Sequence, residues 1–171
     1  MNRLMAMLLV AAAALYGCSR RAASEPAAGA ESMQSVSLRD VHPLFGGTNL
    51  YLQADGSGIC QIVEPSQHAR GLIEKRIPIT ADSATVKELN HAISQHHFFD
   101  LTEALNPAVP DASRISISVT LASERSATVT NWSSDRNPDF DAIYQILLKI
   151  IKSAKRSSAQ QESVYDPHWR P

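Results

Sequence analysis

The segment from Arg114 to Leu121 alternates strictly between apolar and polar residues. Isoleucine, valine and leucine occupy positions 115, 117, 119 and 121, and serine and threonine occupy positions 116, 118 and 120. Because successive side chains of a β-strand point to opposite faces, this pattern predicts a strand with one apolar and one polar face. Such a strand belongs in a sheet that is covered on one side and relatively polar on the other.

Two amphipathic segments can cover the apolar side of that sheet. The first follows Thr80, the predicted N-cap, with Val86, Leu89 and Ile93 at helical spacing. The second begins with the N-cap and first-position proline pair Asn137-Pro138. Its apolar residues follow the i, i+3, i+4, i+7 pattern and comprise Phe140, Ile143, Tyr144, Leu147, Ile150 and Ile151.

The other predicted strands lie on either side of the first helix. Residues 49–53 and 58–63 flank Asp55-Gly56, which is a strong hairpin-turn pair. Residues 71–79 form a third strand, and Lys75 and Pro78 suit an edge position there. A last strand after residue 125 pairs with the Arg114 strand. The predicted order is β-β-β-α-β-β-α, an α+β fold with a mainly antiparallel sheet and both helices packed on one face.

The N-terminus has the pattern of an export signal. Arg3 precedes thirteen uncharged residues, 4–16, which as a helix would extend about 20 Å and fall short of a bilayer core of about 30 Å. The sequence Leu15-Tyr16-Gly17-Cys18 that follows resembles the processing site of bacterial lipoproteins. The resemblance implies that residues 1–17 are a signal peptide and that Cys18 carries the lipid. Because Ser19 follows Cys18, the resemblance also implies that the protein is anchored to the periplasmic face of the outer membrane.

Composition suggests where the folded part begins and ends. Residues 18–40 are rich in Ala, Ser, Glu and Gly and are interpreted as a flexible tether. Residues 41–155 form the predicted single α+β domain, and 156–171 are polar and are predicted to be a disordered tail. Tyr165 and Trp169 are unusual in such a tail. The alternative to a disordered tail is that these two side chains dock onto the domain or onto a partner.

The domain is also similar to a family of small, uncharacterised bacterial domains found in predicted lipoproteins. The matching segments are 50–56, 88–89 with 98–101, Asp111 before the alternating strand, and Pro138 before the last helix. The resemblance spans about residues 44–152. It implies no activity, cofactor or catalytic residue.

The net charge and the sequence motifs limit the classes of function that this chain can have. The formal net charge of -1 argues against a nucleic-acid partner, which requires a basic surface. Ser57 lacks the G-x-S-x-G setting of a hydrolase nucleophile, and His91 and His96 are five residues apart, unlike the i, i+4 pair of a zinc helix. Cys60 is interpreted as an inert core thiol. No catalytic, cofactor-binding or metal-binding residue is therefore predicted.

The remaining candidate is an interaction surface formed by Tyr51, Trp132 and the loop containing Pro107 and Pro110. The alternative is that the loop only covers the end of the sheet and Trp132 packs locally. The sequence thus favours a lipid-anchored cell-envelope protein that acts as a non-enzymatic binding module, with the membrane and an envelope protein or ligand as partners. A periplasmic inhibitor or small-ligand-binding module is the second hypothesis, and an unrecognised hydrolase is the third.

Overall fold

The computed structural model describes residues 31–67, 71–103, 113–133, 137–157 and 161–169. The strands are β1 (Met33–His42), β2 (Gly46–Gln53), β3 (Ser57–Pro65), β4 (Leu72–Thr80), β5 (Arg114–Leu121), β6 (Ser126–Trp132), β7 (Lys155–Arg156) and β8 (Gln161–Val164). The helices are α1 (Ser83–Gln95) and α2 (Pro138–Ser153), with a short 3₁₀ turn at Phe98–Asp100. The predicted series β-β-β-α-β-β-α is present as β2 to α2, and the α+β class is confirmed.

Strand β1 joins two halves of the sheet. The strands are ordered β6-β5-β1-β2-β3-β4-β7, β8 also pairs with β4, and each pairing is antiparallel. The prediction of a flexible tether is therefore wrong for residues 33–40. Val36 and Leu38 alternate with polar residues and are almost completely buried. One neighbour, β2, forms a hairpin with β1, whereas the other, β5, is distant in sequence. Pairing on both sides stabilises β1 more than its own short apolar pattern does.

The C-terminal residues also differ from the prediction. Strand β8 pairs Gln161 with Arg76 and Val164 with Ile73, and β7 pairs with the end of β4. The prediction of a disordered tail is therefore wrong for these residues, and β4 is not an unpaired edge. Residues 161–164 show no apolar alternation. This strand is stabilised instead by its hydrogen bonds with β4 and by the side-chain contacts described below.

Both helices pack on one face of the sheet. Leu38, Leu50 and Ile117 from the strands form one core cluster with Leu89 of α1 and Leu147 of α2. All five are at most 2% exposed. Burial of a large aliphatic side chain stabilises a fold by about 1.5–3 kcal/mol, so this cluster supplies the main driving force for folding. We call the other side of the sheet the polar face.

Capping groups fix where the helices begin. The side chain of Asp82, not of Thr80, caps α1 by accepting the backbone N–H of Thr85 at 2.8 Å. The predicted Thr80 cap is wrong because β4 extends through that residue. Asn137 caps α2 as predicted, with Pro138 at the first position.

The β2–β3 turn lies where Asp55-Gly56 predicts it. Gly56 adopts a φ of +86°, whereas Asp55 is not among the described residues with positive φ. Gly56 donates its backbone N–H to the Gln53 carbonyl at 3.0 Å. A Cβ at position 56 would meet the Ala81 carbonyl oxygen at 2.7 Å, which requires glycine there.

Candidate functional site

The polar face consists mainly of rows of hydrogen-bonding side chains that cross the sheet. The register aligns Thr130, Ser116, Arg39, Asn49, Gln61 and Arg76 in one row. The next row contains Thr128, Ser118, Ser37, Tyr51 and Ile59. Hydroxyl groups predominate on the β5–β6 side, and amide and charged groups on the β3–β4 side. The two kinds of group meet at β1 and β2.

A concavity of about 390 Å³ lies in the polar face, and we call it the sheet concavity. It is lined by Ser35, Ser37, Leu38, Arg39, Asn49, Leu50, Tyr51, Gln61, Ser116, Ser118, Thr120, Thr128 and Trp169. Ser118 and Thr128 share a hydrogen bond of 2.8 Å between their hydroxyl oxygens. Hydroxyls and amides can both donate and accept, so the lining suits a ligand with several polar groups.

Arg39 supplies the charge in this lining, but its guanidinium is already engaged. Nη1 donates to the Pro167 carbonyl at 3.1 Å, and Nη2 donates to the Trp169 carbonyl at 3.0 Å. These bonds hold the C-terminal segment, residues 161–169, over the edge of the sheet concavity. The other lining side chains are uncharged. The sheet concavity is therefore better suited to neutral hydrogen-bonding groups than to an ion.

Glu74 anchors the same C-terminal segment from β4. Its side chain is completely buried and accepts hydrogen bonds from Gln61 Nε2 at 2.5 Å and from Ser163 Oγ at 3.1 Å. It also accepts the backbone N–H of Asp166 at 3.1 Å and forms an ion pair with Arg76. A buried carboxylate is tolerated only with such partners. Glu74 thus connects β3 and β4 with the segment that borders the concavity.

Aromatic and amide contacts complete this connection. The Arg76 guanidinium lies over the Trp169 ring, 4.6 Å from its centroid. Asn49 Nδ2 donates to Gln61 Oε1 at 2.6 Å. Burial raises the pKa of the Tyr165 hydroxyl, and its hydrogen bond with Asn49 opposes that rise. The C-terminal segment is therefore bound to the polar face through both its backbone and its side chains.

The structure separates the residues of the predicted interaction surface. Tyr51 lines the sheet concavity, whereas Trp132 lies at the end of β6, with the Arg114 guanidinium 5.8 Å from its ring centroid. Strands β2 and β6 are separated by β1 and β5, which places them about 14 Å apart. Pro107, Pro110 and the lipidation candidate Cys18 lie outside the described residues.

Sequence reasoning did not select Arg39, Glu74 or Gln61 as site residues. Gln61 follows Cys60 in an apolar strand, and Glu74 interrupts another apolar run. Polar residues within such runs are the signal that was available, since they have to find partners when both faces of a strand are covered. Trp169 was noted as unusual, but its contact with the sheet depends on residues far away in sequence.

Cys60 is a free cysteine and is completely buried on the helix-covered side of β3. Burial raises the pKa of its thiol, with a smaller opposing effect from Arg156. Burial thus favours the unreactive protonated form. In the described parts of the chain, no three His, Cys, Asp or Glu residues are grouped as metal ligands.

Comparisons of the chain with protein-family models, curated proteins and solved structures gave no match. Among the helices of the described residues, none combines the length and apolar character needed to cross a bilayer.

Proposed function

We propose that this protein is a lipid-anchored component of the bacterial cell envelope and acts as a non-enzymatic binding module. Its lipid is attached at Cys18 and holds the protein at the periplasmic face of the outer membrane. The sheet concavity binds another envelope component. The observation that carries this proposal is a concavity of about 390 Å³ on the polar face, lined mainly by uncharged hydrogen-bonding side chains.

The lining chemistry supports binding over catalysis. The residues around the sheet concavity include hydroxyls, amides and one arginine, with no carboxylate, histidine or cysteine among those that the structure describes there. General acid–base and nucleophilic mechanisms need a titratable group or an activated nucleophile next to the substrate. Hydroxyl and amide groups, together with the Tyr51 ring, serve orientation and affinity instead.

The N-terminal sequence supports the anchor. Cys18 follows an apolar segment in the order seen in lipoprotein precursors. Strand β1 begins at Met33, which leaves about 15 residues between the lipid and the domain. Fully extended, that length spans at most about 50 Å. The resemblance of the domain to a lipoprotein-associated family also favours this setting.

A small-ligand-binding module is the second candidate function. Its support is the size of the sheet concavity, about 390 Å³, which lies within the range of roughly 300–1,000 Å³ common for small-molecule sites. The two candidates differ in what occupies the site: a macromolecule remains attached after crosslinking, whereas a small ligand leaves only a small mass increase.

In-cell photo-crosslinking tests the binding site. A photoreactive amino acid placed at Ser118 projects from the polar face, and the same residue placed at exposed Gln145 projects from α2. We expect a discrete crosslinked product from position 118 that is absent from position 145. A small added mass at position 118 would favour the small-ligand module. Equal, diffuse products from both positions would contradict a specific site on the polar face.

Fractionation of cells tests the anchor separately. In cells that express the full-length chain, we expect the mature protein in the outer-membrane fraction and a lipid-bearing N-terminal peptide by mass spectrometry. In Cys18→Ser, that lipid is lost. Cys60→Ser is the matched control, because it also removes one thiol but leaves the processing site intact. An unmodified Cys18 in the mature wild-type chain would contradict lipid anchoring.

A further inference from the structure

The β1–β2 turn presents large apolar side chains to solvent. Leu44 is 66% exposed and Phe45 is 72% exposed, and Val164 on β8 is the other large hydrophobic residue recorded as exposed in the described part of the chain. Single exposed hydrophobic residues are ordinary on protein surfaces, whereas adjacent ones at a protruding turn indicate a contact surface.

All three side chains lie where the strands end on the same side of the sheet, at the end that contains the β1–β2 turn. Val164 pairs with Ile73, which pairs with Glu64 near the end of β3. The start of β2 lies beside that end of β3, because Gly47 pairs with Val63. Strands β2 and β8 are separated by β3 and β4, so the apolar groups extend over about 14 Å along this row of strand ends. We call this row, with Leu44, Phe45 and Val164, the apolar edge.

The turn is held in one conformation. The His42 and Phe45 rings stack with their centroids 4.6 Å apart, and the backbone N–H of Leu44 donates to His42 Nδ1 at 3.1 Å. Gly46 has a φ of +78°, and a Cβ there would meet the Val63 carbonyl oxygen at 2.2 Å. The apolar side chains are therefore displayed by a preorganised turn rather than by a segment that must first be ordered.

Among the described residues next to the turn, the nearest opposite charges are paired. Glu64 and Lys75 are paired at 3.4 Å and are both partly exposed. A partner surface that relied on charge attraction would gain little here, whereas an apolar medium would gain from removing Leu44 and Phe45 from water. The composition of the apolar edge thus fits the interfacial layer of a lipid bilayer.

We propose that the apolar edge contacts the membrane surface and inserts Leu44 and Phe45 into its interfacial layer. This inference rests on the proposed lipid anchor, which keeps the domain next to a bilayer. The tether is attached at the opposite ends of the strands, where β1 begins at Met33. The ten residues of β1 separate that point from the apolar edge. That strand is about 33 Å long, whereas the residues between Cys18 and Met33 span up to about 50 Å. The tether is long enough for the apolar edge to reach the membrane that holds the lipid.

An environment-sensitive dye tests this orientation. The full-length protein is placed in vesicles of equal amounts of phosphatidylethanolamine and phosphatidylglycerol, with the dye attached to Phe45→Cys. The matched control is Asp55→Cys, because Asp55 is exposed in the β2–β3 turn at the opposite edge. Both variants carry Cys60→Ser, and the lipid-bearing form is labelled, because its Cys18 sulfur is already modified and only the introduced thiol can react.

We expect a blue-shifted emission and quenching by nitroxide-bearing lipids at position 45, and neither effect at position 55. Water-like emission at both positions, in vesicles that hold protein with a lipid-bearing Cys18, would overturn the proposal. A blue shift at position 45 that needs no vesicles and grows with protein concentration would also overturn it, in favour of contact between copies. Failure of the anchor is recognised independently, by an unmodified Cys18 in mass spectrometry.

Discussion

The helix-covered face and the polar face belong to the same strands but are stabilised by different interactions. Leu38 and Leu50 contribute to a continuous apolar core, in which burial of surface area supplies the stability. On the polar face, Glu74 and Arg39 hold the C-terminal segment through directed bonds. The cost of a substitution therefore depends on which face the side chain occupies, even for neighbours in sequence.

The largest expected effect comes from a charge introduced on the helix-covered face. Leu38→Asp would place a carboxylate at a position with 0% exposure, among apolar side chains. Burying an unpaired charge costs more than about 5 kcal/mol, which approaches the whole stability of a typical domain. We expect loss of the cooperative unfolding transition, measured by circular dichroism in urea.

Ser37→Asp is the matched control, because Ser37 is the preceding residue of β1 and lines the sheet concavity on the other face. We expect a change below about 1 kcal/mol in the free energy of unfolding. If both variants unfolded alike, the difference between the two faces would not exist. A normal transition for Leu38→Asp would show that the core does not depend on this side chain.

The next largest effect concerns Glu74. Glu74→Ala removes the acceptor for Gln61, Ser163 and the Asp166 N–H and leaves Arg76 without its ion-pair partner. We expect a loss of about 3 kcal/mol in the free energy of unfolding. Faster hydrogen exchange at the backbone amides of 161–166 should accompany it.

Glu64→Ala is the control for that substitution, because Glu64 also pairs with a basic residue of β4 but is exposed. Its expected cost is below about 0.5 kcal/mol, as for other exposed ion pairs. Equal costs for the two variants would mean that burial of Glu74 adds nothing to its interactions. Unchanged exchange in 161–166 would show that the C-terminal segment is held by other contacts.

The helix-covered face follows from local patterns in the sequence. The alternation from Arg114 to Leu121 and the spacing of apolar residues in α2 identify both the elements and the sides that they bury. Asn137-Pro138 also predicts the first turn of α2 correctly. These signals lie within single segments, so they can be recognised without knowledge of the tertiary fold.

The polar face follows from long-range pairing, and the sequence did not predict its architecture. Strand β1 contains few apolar residues and depends on the distant β5 as well as on its hairpin with β2, while β8 contains one and depends on β4. The bonds from Arg39 to Pro167 and from Glu74 to Asp166 join residues more than ninety positions apart. No local periodicity marks such contacts, so both ends of the domain were predicted to be unstructured.

The smallest of the three main effects, leaving the controls aside, concerns a polar interaction on the helix-covered side. The Tyr144 hydroxyl of α2 donates to Asp40 Oδ2 of β1 at 2.5 Å. Burial raises the pKa of Tyr144, and the adjacent Asp40 carboxylate raises it further. At neutral pH we expect Tyr144→Phe to reduce the free energy of unfolding by about 1 kcal/mol, the usual contribution of one hydrogen bond.

The raised pKa makes this contribution dependent on pH. An unfolded tyrosine loses its proton near pH 10, the ordinary pKa of its hydroxyl, whereas the raised pKa of the folded Tyr144 keeps it protonated at that pH. The unfolded state then binds fewer protons than the folded state, so stability falls as pH rises above about 10. The two chains differ only at position 144, so comparing Tyr144→Phe with the wild type isolates the effect of this hydroxyl. Urea unfolding of both chains at neutral and alkaline pH should show the wild-type advantage shrinking above about pH 10. An advantage that stays constant would show that Tyr144 ionises equally in both states.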